Sequence, residues 1–229
     1  TNQGGKQGTG ALNLIHSNSE LPIPFASDKI VADGIPYFSP RLSIPTGLTV
    51  TMQSGAELHL SHSLIVQGAL DIQGNQEHPA VITSIQDEQG VDRNKDGLVT
   101  TGTKGQWLGI QVHTNGNLKA NYAHIRHGGS GNTALLTVTD TTAVANVQSS
   151  ILESSAGSLV SGTRGTVSIE DSVLTNAQQG VRSLAGSTAL LQVHHSAFLK
   201  PFSQVTALNE SIYNTIETQD NFWDNPEGP

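Results

Sequence analysis

Alternating apolar and polar positions recur five times between Leu118 and Trp223. Each copy reads apolar-x-apolar-x-polar-polar-x-bulky apolar. The copies close at Ile125, Leu152, Leu174, Phe198 and Trp223, which are 27, 22, 24 and 25 positions apart. Alternation with a period of two is typical of β-strands, and a repeat of this length is typical of stacked coils that cannot bury their apolar faces alone. The pattern therefore predicts an all-β solenoid.

Stacking the five copies on one another predicts three interior columns of apolar side chains. The first column is Leu118, Ala145, Val167, Leu191 and Ile216; the second is Ala120, Val147, Ile169, Val193 and Thr218; the third is the row of closing residues. Two polar positions between the second and third columns indicate a bend. The second of these positions holds Ser150, Ser172, Ser196 and Asn221 in the last four coils. A small polar side chain there can bond its own backbone or its counterpart one coil away.

The strand pattern also extends towards the N-terminus. Short strands are predicted at residues 44–50, 56–60, 64–66, 68–72 and 80–83, with glycines at turn spacing between them. We count about seven coils, which start near residues 41, 62, 105, 134, 159, 181 and 205. Residues 1–28 are expected to form a flexible lead that contains Gly and Pro, and residues 29–229 a parallel β-helix with an acidic insertion at residues 87–104. Residues 1–40 are expected to cap the N-terminal end.

Composition narrows the classes of function. The formal net charge is −8 with only 11 Lys and Arg residues, so no basic stripe is available to follow a phosphate backbone, and nucleic acid is not an expected partner. Cysteine is absent, which excludes disulfides and thiolate metal sites. No run of apolar residues is long enough to predict a membrane span. Cations or neutral polymers fit this charge balance better.

Three segments carry a family resemblance. Residues 68–84 read G-x-L-x-x-x-G followed by P-x-x-x-T-S, residues 105–110 read G-x-W-x-G-I, and residues 221–229 read N-x-W-x-x-x-x-G-P. Together they resemble the right-handed parallel β-helix repeat proteins of bacteria, which have the pectate-lyase-like architecture. The resemblance covers about residues 40–229 and implies a secreted or cell-surface protein. Because this fold carries lyases, hydrolases, epimerases, adhesins and passive stalks, the resemblance implies no single activity.

The acidic insertion contains the sharpest local chemistry. Alternating oxygen-bearing side chains before a glycine form the first half of a D-x-N-x-D-G calcium loop, in which the oxygens converge on a hard cation. The predicted ligands are Asp92, Asn94, Asp96, the Leu98 carbonyl and Asp87. Thr103 stands where such a loop usually has a bidentate Glu, so Asp87 or Glu88 is the candidate for the missing carboxylate. A structural Ca²⁺ ion is the expected cofactor, and a solvated acidic turn is the alternative.

A catalytic reading is also open. Glu170 and His194 occupy equivalent positions in neighbouring coils and are expected to point outwards about 5 Å apart. With Arg182 they are the candidate acid–base group of an enzyme, and an incidental ion pair is the alternative. The nine histidines are otherwise expected to be surface imidazoles.

The sequence therefore favours a non-catalytic module of a bacterial secreted or surface protein. It is expected to be a rigid rod that binds a polysaccharide or another extracellular partner, in the manner of an adhesin, or that spaces other domains. The alternative is a polysaccharide lyase or glycoside hydrolase with its site on the outer face of the β-helix. Uncapped solenoid ends can pair with neighbours, so self-association through the ends is a further expectation.

Overall fold

Over the residues that it describes, the computed structural model has 23 β-strands in three parallel sheets. It describes residues 28–30, 37–94, 96–131, 133–203, 207–210 and 215–224. The chain passes through the first, second and third sheets in turn, and each such passage is one coil of a β-solenoid. About seven coils stack in this way, which confirms the predicted fold class. The described part of the chain has no helix that could span a membrane.

Equivalent strands of successive coils pair directly with one another. The first sheet contains β1 (Asp28–Ile30), β4 (Thr49–Gln53), β7 (Ala69–Gln73), β10 (Asn117–Asn121), β13 (Val144–Gln148), β16 (Thr166–Glu170), β19 (Leu190–His194) and β22 (Thr215–Gln219). The second contains β2 (Tyr37–Ser39), β5 (Glu57–Leu60), β8 (Ala80–Ser84), β11 (Ala123–Arg126), β14 (Ile151–Glu153), β17 (Val173–Ala177), β20 (Ala197–Phe202) and β23 (Phe222–Trp223). The third contains β3 (Leu42–Ile44), β6 (Ser63–Val66), β9 (Gly109–Val112), β12 (Leu136–Val138), β15 (Ser158–Gly162), β18 (Gln179–Ser183) and β21 (Ala207–Asn209).

The strand register confirms the predicted interior columns. Leu118 pairs with Ala145, Ala145 with Val167, and the row continues to Ile216. The second column from Ala120 to Thr218 and the third from Ile125 to Trp223 are also in register. At the end of the third column the rings of Phe198 and Trp223 stack, with centroids 4.3 Å apart. Like packs on like along the axis, so one apolar core runs through the solenoid.

The bend between the first and second sheets has the same construction in five successive coils. Its first residue lies in the left-handed region in each case: Tyr122, Ser149, Asp171, His195 and Asp220 have φ between 47° and 55°. Its second residue closes a hydrogen-bonded ladder, which we call the bend ladder (Ser150, Ser172, Ser196 and Asn221). Each of these side chains accepts a bond from a backbone N–H one coil earlier, at 2.8–3.1 Å. The three serine hydroxyls also donate to the backbone carbonyl two residues earlier, and the Asn221 amide donates to the Val193 carbonyl of the previous coil.

Several details differ from the sequence prediction. The segment 44–50 is not one strand, because a turn at residues 45–48 separates β3 from β4, and Pro45 lacks the N–H that a continuous strand would use. The predicted coil starts fall within four residues of the strands of the third sheet. Of the predicted lead, residues 1–27 lie outside the described residues, as does most of the predicted N-terminal cap.

The acidic insertion lies in the connection between β8 and β9, and it folds back on the second sheet. Arg93 Nη1 of the insertion contacts Glu57 Oε2 of β5 at 2.6 Å. On the same sheet His59 and Thr83 are fully buried, although their positions in the alternation point outwards. The prediction that the histidines are surface imidazoles is therefore wrong for His59, whose ring also packs on Phe38 with centroids 5.0 Å apart.

The bend ladder yields a stability prediction. Replacing Ser172 by Ala leaves the Ser150 N–H without its buried acceptor, so we expect the free energy of unfolding to fall by about 1–3 kcal/mol. Urea denaturation followed by circular dichroism measures this change. Ser168→Ala on β16 is the matched control, because Ser168 points outwards beside the ladder, and its effect should be near zero. An equal loss in both variants would contradict the role of the ladder.

Candidate functional site

A cluster of charged and polar side chains lies on the outer face of the second sheet, where the acidic insertion begins. Asp87 is its centre, and its side chain is 7% exposed. Asp87 Oδ2 accepts bonds from Arg126 Nε and Thr83 Oγ1, both at 2.8 Å, and Arg126 Nη2 lies at 2.8 Å as well. His127 Nδ1 lies 3.4 Å from the same oxygen and 3.1 Å from Thr83 Oγ1. The cluster joins the insertion to β8 and to the coil after it.

The environment of Asp87 favours its charged form. Burial on its own raises the pKa of Asp87, but hydrogen bonds from His127 and Thr83 and the positive charge of Arg126 lower it well below its ordinary value. Glu57 follows the same rule. The hydrogen bond from His59 and the charge of Arg93 lower the pKa of Glu57, against the opposing effect of burial.

A second imidazole–carboxylate pair lies on the following coils. His124 Nε2 of β11 is 2.6 Å from Glu153 Oε1 of β14. In the strand register Glu153 is opposite Arg126, so it reaches His124 diagonally. The His124 hydrogen bond lowers the pKa of Glu153, against the opposing effect of burial. The outer face of the second sheet thus carries three carboxylates that are each fixed by a basic partner.

Glu88 organises the interior of the acidic insertion. Its side chain is fully buried, and its Oε1 accepts the backbone N–H groups of Arg93 and Asn94, both at 3.0 Å. Its Oε2 accepts the Thr100 N–H at 2.7 Å and the Thr100 hydroxyl at 2.9 Å. Burial raises the pKa of Glu88, but these hydrogen bonds outweigh that effect and lower it. Glu88 therefore connects the first half of the insertion, at Arg93 and Asn94, with its second half, at Thr100.

The predicted calcium loop is a tight turn held by its own carboxylates and amide. Asp92 Oδ2 accepts the Gly97 N–H at 3.0 Å, and Gly97 has a φ of 89°, which suits glycine. Asn94 Oδ1 accepts the Asp96 N–H, and Asp96 Oδ1 accepts the Leu98 N–H, both at 2.9 Å. Asp92 Oδ1 is buried and has no hydrogen-bond partner among the described residues. Asp92, Asn94 and Asp96 carry side-chain oxygens, and Asp92 Oδ1 has no partner in the described part of the chain. This arrangement fits a hard cation such as Ca²⁺.

Asp87, the fifth predicted ligand, is not brought to this loop. Its Oδ2 faces Arg126 and Thr83 on the second sheet and accepts hydrogen bonds from both. Within the described ranges no three His, Asp or Glu side chains lie together as a metal-binding group. The side chains that fit a cation are therefore Asp92, Asn94 and Asp96, and Glu88 supports the loop from inside.

The predicted catalytic group is spread over two sheets. Glu170 and His194 are in register on β16 and β19 of the first sheet, as expected. The contact is made by the next residue instead, with His195 Nδ1 3.8 Å from Glu170 Oε1. Arg182 lies on β18 of the third sheet, where it forms a two-pronged ion pair with Glu210. Glu170 and Arg182 therefore have different partners, and Arg182 does not join Glu170 and His194.

Two concave regions adjoin the bend between the first and second sheets. One, of about 430 Å³, lies beside the turn at residues 74–79 and is lined by Tyr122, Ile151 and Asp171 among others. The other, of about 220 Å³, lies on the outer face of the first sheet and is lined by Lys119, Gln148 and Glu170 among others. Neither concavity was predicted from the sequence. The sequence feature that could have indicated the first concavity is the length of the 74–79 turn, because later coils have only a two-residue bend at this place.

Comparisons with family models, with curated proteins and with solved structures found no match for this chain.

The Asp87 cluster yields a prediction about pH. Because the pKa of Asp87 is lowered on folding, the unfolded chain binds more protons than the folded one as the pH falls below the ordinary value of 3.8. The stability that Asp87 contributes is thus present at neutral pH and is lost in acid. We expect Asp87→Asn to cost about 3 kcal/mol at pH 7, because Arg126 loses its buried partner.

Thermal unfolding of the two proteins at pH 7, 4 and 3 checks this prediction, and the difference between them should narrow in acid. Glu77→Gln, a change of an exposed carboxylate, is the control and should leave the curve unchanged. A difference that stays constant down to pH 3 would mean that Asp87 acts through packing and not through its charge.

Proposed function

We propose that the chain is a non-catalytic module of a bacterial secreted or cell-surface protein. It acts as a rigid β-helix that binds a glycan or another extracellular partner, or that spaces neighbouring domains, and its acidic insertion is stabilised by calcium. The observation that carries this proposal is the dispersal of Glu170, His194 and Arg182 over two sheets, in which Glu170 contacts His195 and Arg182 pairs with Glu210. An enzyme of this architecture needs its acid, base and charge-stabilising groups around one substrate bond.

The rigidity of the rod supports a binding or spacing role. Strand pairing continues in register from β1 to β22, and the interior columns are almost fully buried except in the last coil, where Ile216 and Trp223 are partly buried. A side chain on such a scaffold keeps a fixed height along the axis, because adjacent coils are about 4.8 Å apart. A preorganised surface loses little conformational freedom when a partner binds, which favours binding.

Calcium is proposed as a structural ion of the acidic insertion. Asp92, Asn94 and Asp96 would hold it with side-chain oxygens, and the Leu98 carbonyl follows Gly97 at the position that such loops use for a backbone ligand. The ion would neutralise the two aspartates and hold the loop against the second sheet. No chemical step is assigned to it.

The alternative function is a polysaccharide lyase or glycoside hydrolase. The register of Glu170 with His194 and the contact of Glu170 with His195 favour it, because they bring an acid and an imidazole together on one outer face. Arg182 does not join them, and it would have to be replaced by another cation of the first sheet. Lys119 lines the same concave region as Glu170 and is the residue that this alternative requires.

The calcium proposal predicts an ion-dependent gain in stability. Addition of CaCl2 to metal-free protein should raise the melting temperature, because an ion that binds only the folded state adds about 2.7 kcal/mol at about 100 times its dissociation constant. The Asp92→Ala/Asp96→Ala variant should melt at the same temperature with and without calcium. Differential scanning calorimetry in EGTA and in millimolar calcium makes the comparison.

Asp71→Ala/Asp224→Ala is the matched control for this experiment, since it removes two carboxylates outside the insertion. It should keep the full response to calcium. An equal response of the wild type and the Asp92→Ala/Asp96→Ala variant would overturn the assignment, and MgCl2 in place of CaCl2 tests whether the gain is specific.

The choice between binding and catalysis predicts two different results on carbohydrates. A glycan array run with and without calcium should show retention of at least one glycan. Incubation with uronic-acid and neutral polysaccharides should release no unsaturated or reducing ends, since Arg182 lies on a different sheet from Glu170 and His194. Release of products that is lost in Glu170→Gln would overturn the binding proposal in favour of the enzyme.

A further inference from the structure

We propose that the concavity beside the turn at residues 74–79 is a binding subsite for one ring of a neutral saccharide. We name it the bend pocket, and its floor and rim are formed by Tyr122, Ile151, Pro79, Asn75, Gln76 and Asp171. This inference rests on the proposed binding function and gives it a location and a ligand class. The volume of about 430 Å³ is in the range of small-molecule sites.

The pocket exists because one coil departs from the common bend. Later coils pass from the first to the second sheet with a two-residue bend, whereas the coil of β7 and β8 makes a six-residue turn, 74–79. Residues of this turn line the pocket together with residues of the next three coils, so the turn forms one wall, which we call the overhang. Tyr122, Ile151 and Asp171 belong to those coils and lie along the axis beneath it, over about 10 Å.

The overhang is fixed in place before any ligand binds. Gly74 N–H donates to the Asn121 carbonyl at 3.0 Å, and a Cβ at Gly74 would overlap the Tyr122 carbonyl oxygen. Asn75 Oδ1 accepts the N–H groups of Glu77 and His78, and Asn75 Nδ2 donates to Ser54 Oγ at 2.8 Å. A rigid wall above a rigid floor reduces the loss of freedom that binding causes.

The lining combines an apolar floor with a polar rim. Tyr122 is 37% exposed and Ile151 is 39% exposed, so both have apolar surface available to a ligand. The Gln76 amide has no hydrogen-bond partner among the described residues and is free to donate and to accept. An aromatic face with nearby amides suits a sugar ring, which has an apolar C–H face and hydroxyl groups at its edge.

Charge selects a neutral ring over an acidic one. Asp171 places a carboxylate at the rim, and Glu170 lies directly before it at the edge of the first sheet. His124, the lining imidazole, is already paired with Glu153 at 2.6 Å, so its charge is balanced locally. A uronic acid would bring a like charge towards Asp171.

The backbone of Tyr122 is a second, independent observation. Tyr122 has a φ of 47°, and the same bend position holds Ser149, Asp171, His195 and Asp220 in the other coils. Short polar residues tolerate the left-handed region better than a bulky aromatic does. The ring of Tyr122 is therefore placed at a conformational cost, which is offset if the ring contacts a ligand.

The test uses the full ¹⁵N-labelled chain and four neutral probes, which are cellohexaose, mannohexaose, xylohexaose and chitohexaose, with hexagalacturonate as the acidic counterpart. NMR titration should show binding of at least one neutral probe, with shifts of the amides of residues 75–78 and 122–124. Tyr122→Asn should lower that affinity at least about tenfold. The same variant should melt no lower than the wild type, because Asn suits the left-handed region.

Two controls separate the pocket from general effects. Tyr122→Phe keeps the ring and should keep most of the affinity, while Phe222→Ala removes an exposed aromatic elsewhere on the second sheet and should change nothing. Binding that survives in Tyr122→Asn, tighter binding of hexagalacturonate, or no binding of any neutral probe would each overturn this subsite. If the chain also retains no glycan on the array, glycan binding as part of the proposed function fails too.

Discussion

The vertical register of parallel strands is the constraint on which the structure depends. Each strand accepts and donates backbone bonds on both sides, and a slip of one residue would turn a whole apolar column outwards. Coils of unequal length still stack, because the bend has the same geometry in five successive coils and the strand after it begins in register with its neighbours. A left-handed residue turns the chain, and the next residue bonds to the coil before it, as Ser172 does to the Ser150 N–H. The bend ladder and the core therefore specify the same register from two sides.

The repeat made most of this architecture predictable. Ile125, Leu152 and Leu174 could be placed over one another because each coil repeats the same local pattern. The bend was predictable as well, since two adjacent polar residues interrupt the alternation there. The left-handed conformation of Tyr122 was not, because a bulky residue does not indicate it. A strand across residues 44–50 was predicted wrongly, because Ile44 and Val50 belong to two different strands and a turn at residues 45–48 separates them.

The site was less predictable because it depends on where the irregular segments fold back. The D-x-N-x-D-G motif located the acidic turn, but motif spacing assigned Asp87 to a cation when its partners are Arg126 and Thr83. Those partners come from other strands, and the one-dimensional pattern does not say which face of the coil the insertion covers. The burial of His59 has the same origin, since its outward position becomes interior once the insertion packs on the second sheet.

The two candidate binding features of this solenoid lie in segments that depart from the repeat. Both segments, the turn at residues 74–79 and the acidic insertion, belong to one coil. The turn at residues 74–79 precedes β8 and the acidic insertion follows it, so the five-residue strand Ala80–Ser84 lies between the bend pocket and the segment that carries the proposed cation loop. That strand pairs on both sides, with β5 and β11, and its inward residues are buried. A segment held in this way transmits little movement, so the two features are expected to act independently. The ion would stabilise the insertion, whereas the shape of the pocket is set by the backbone bonds of the overhang.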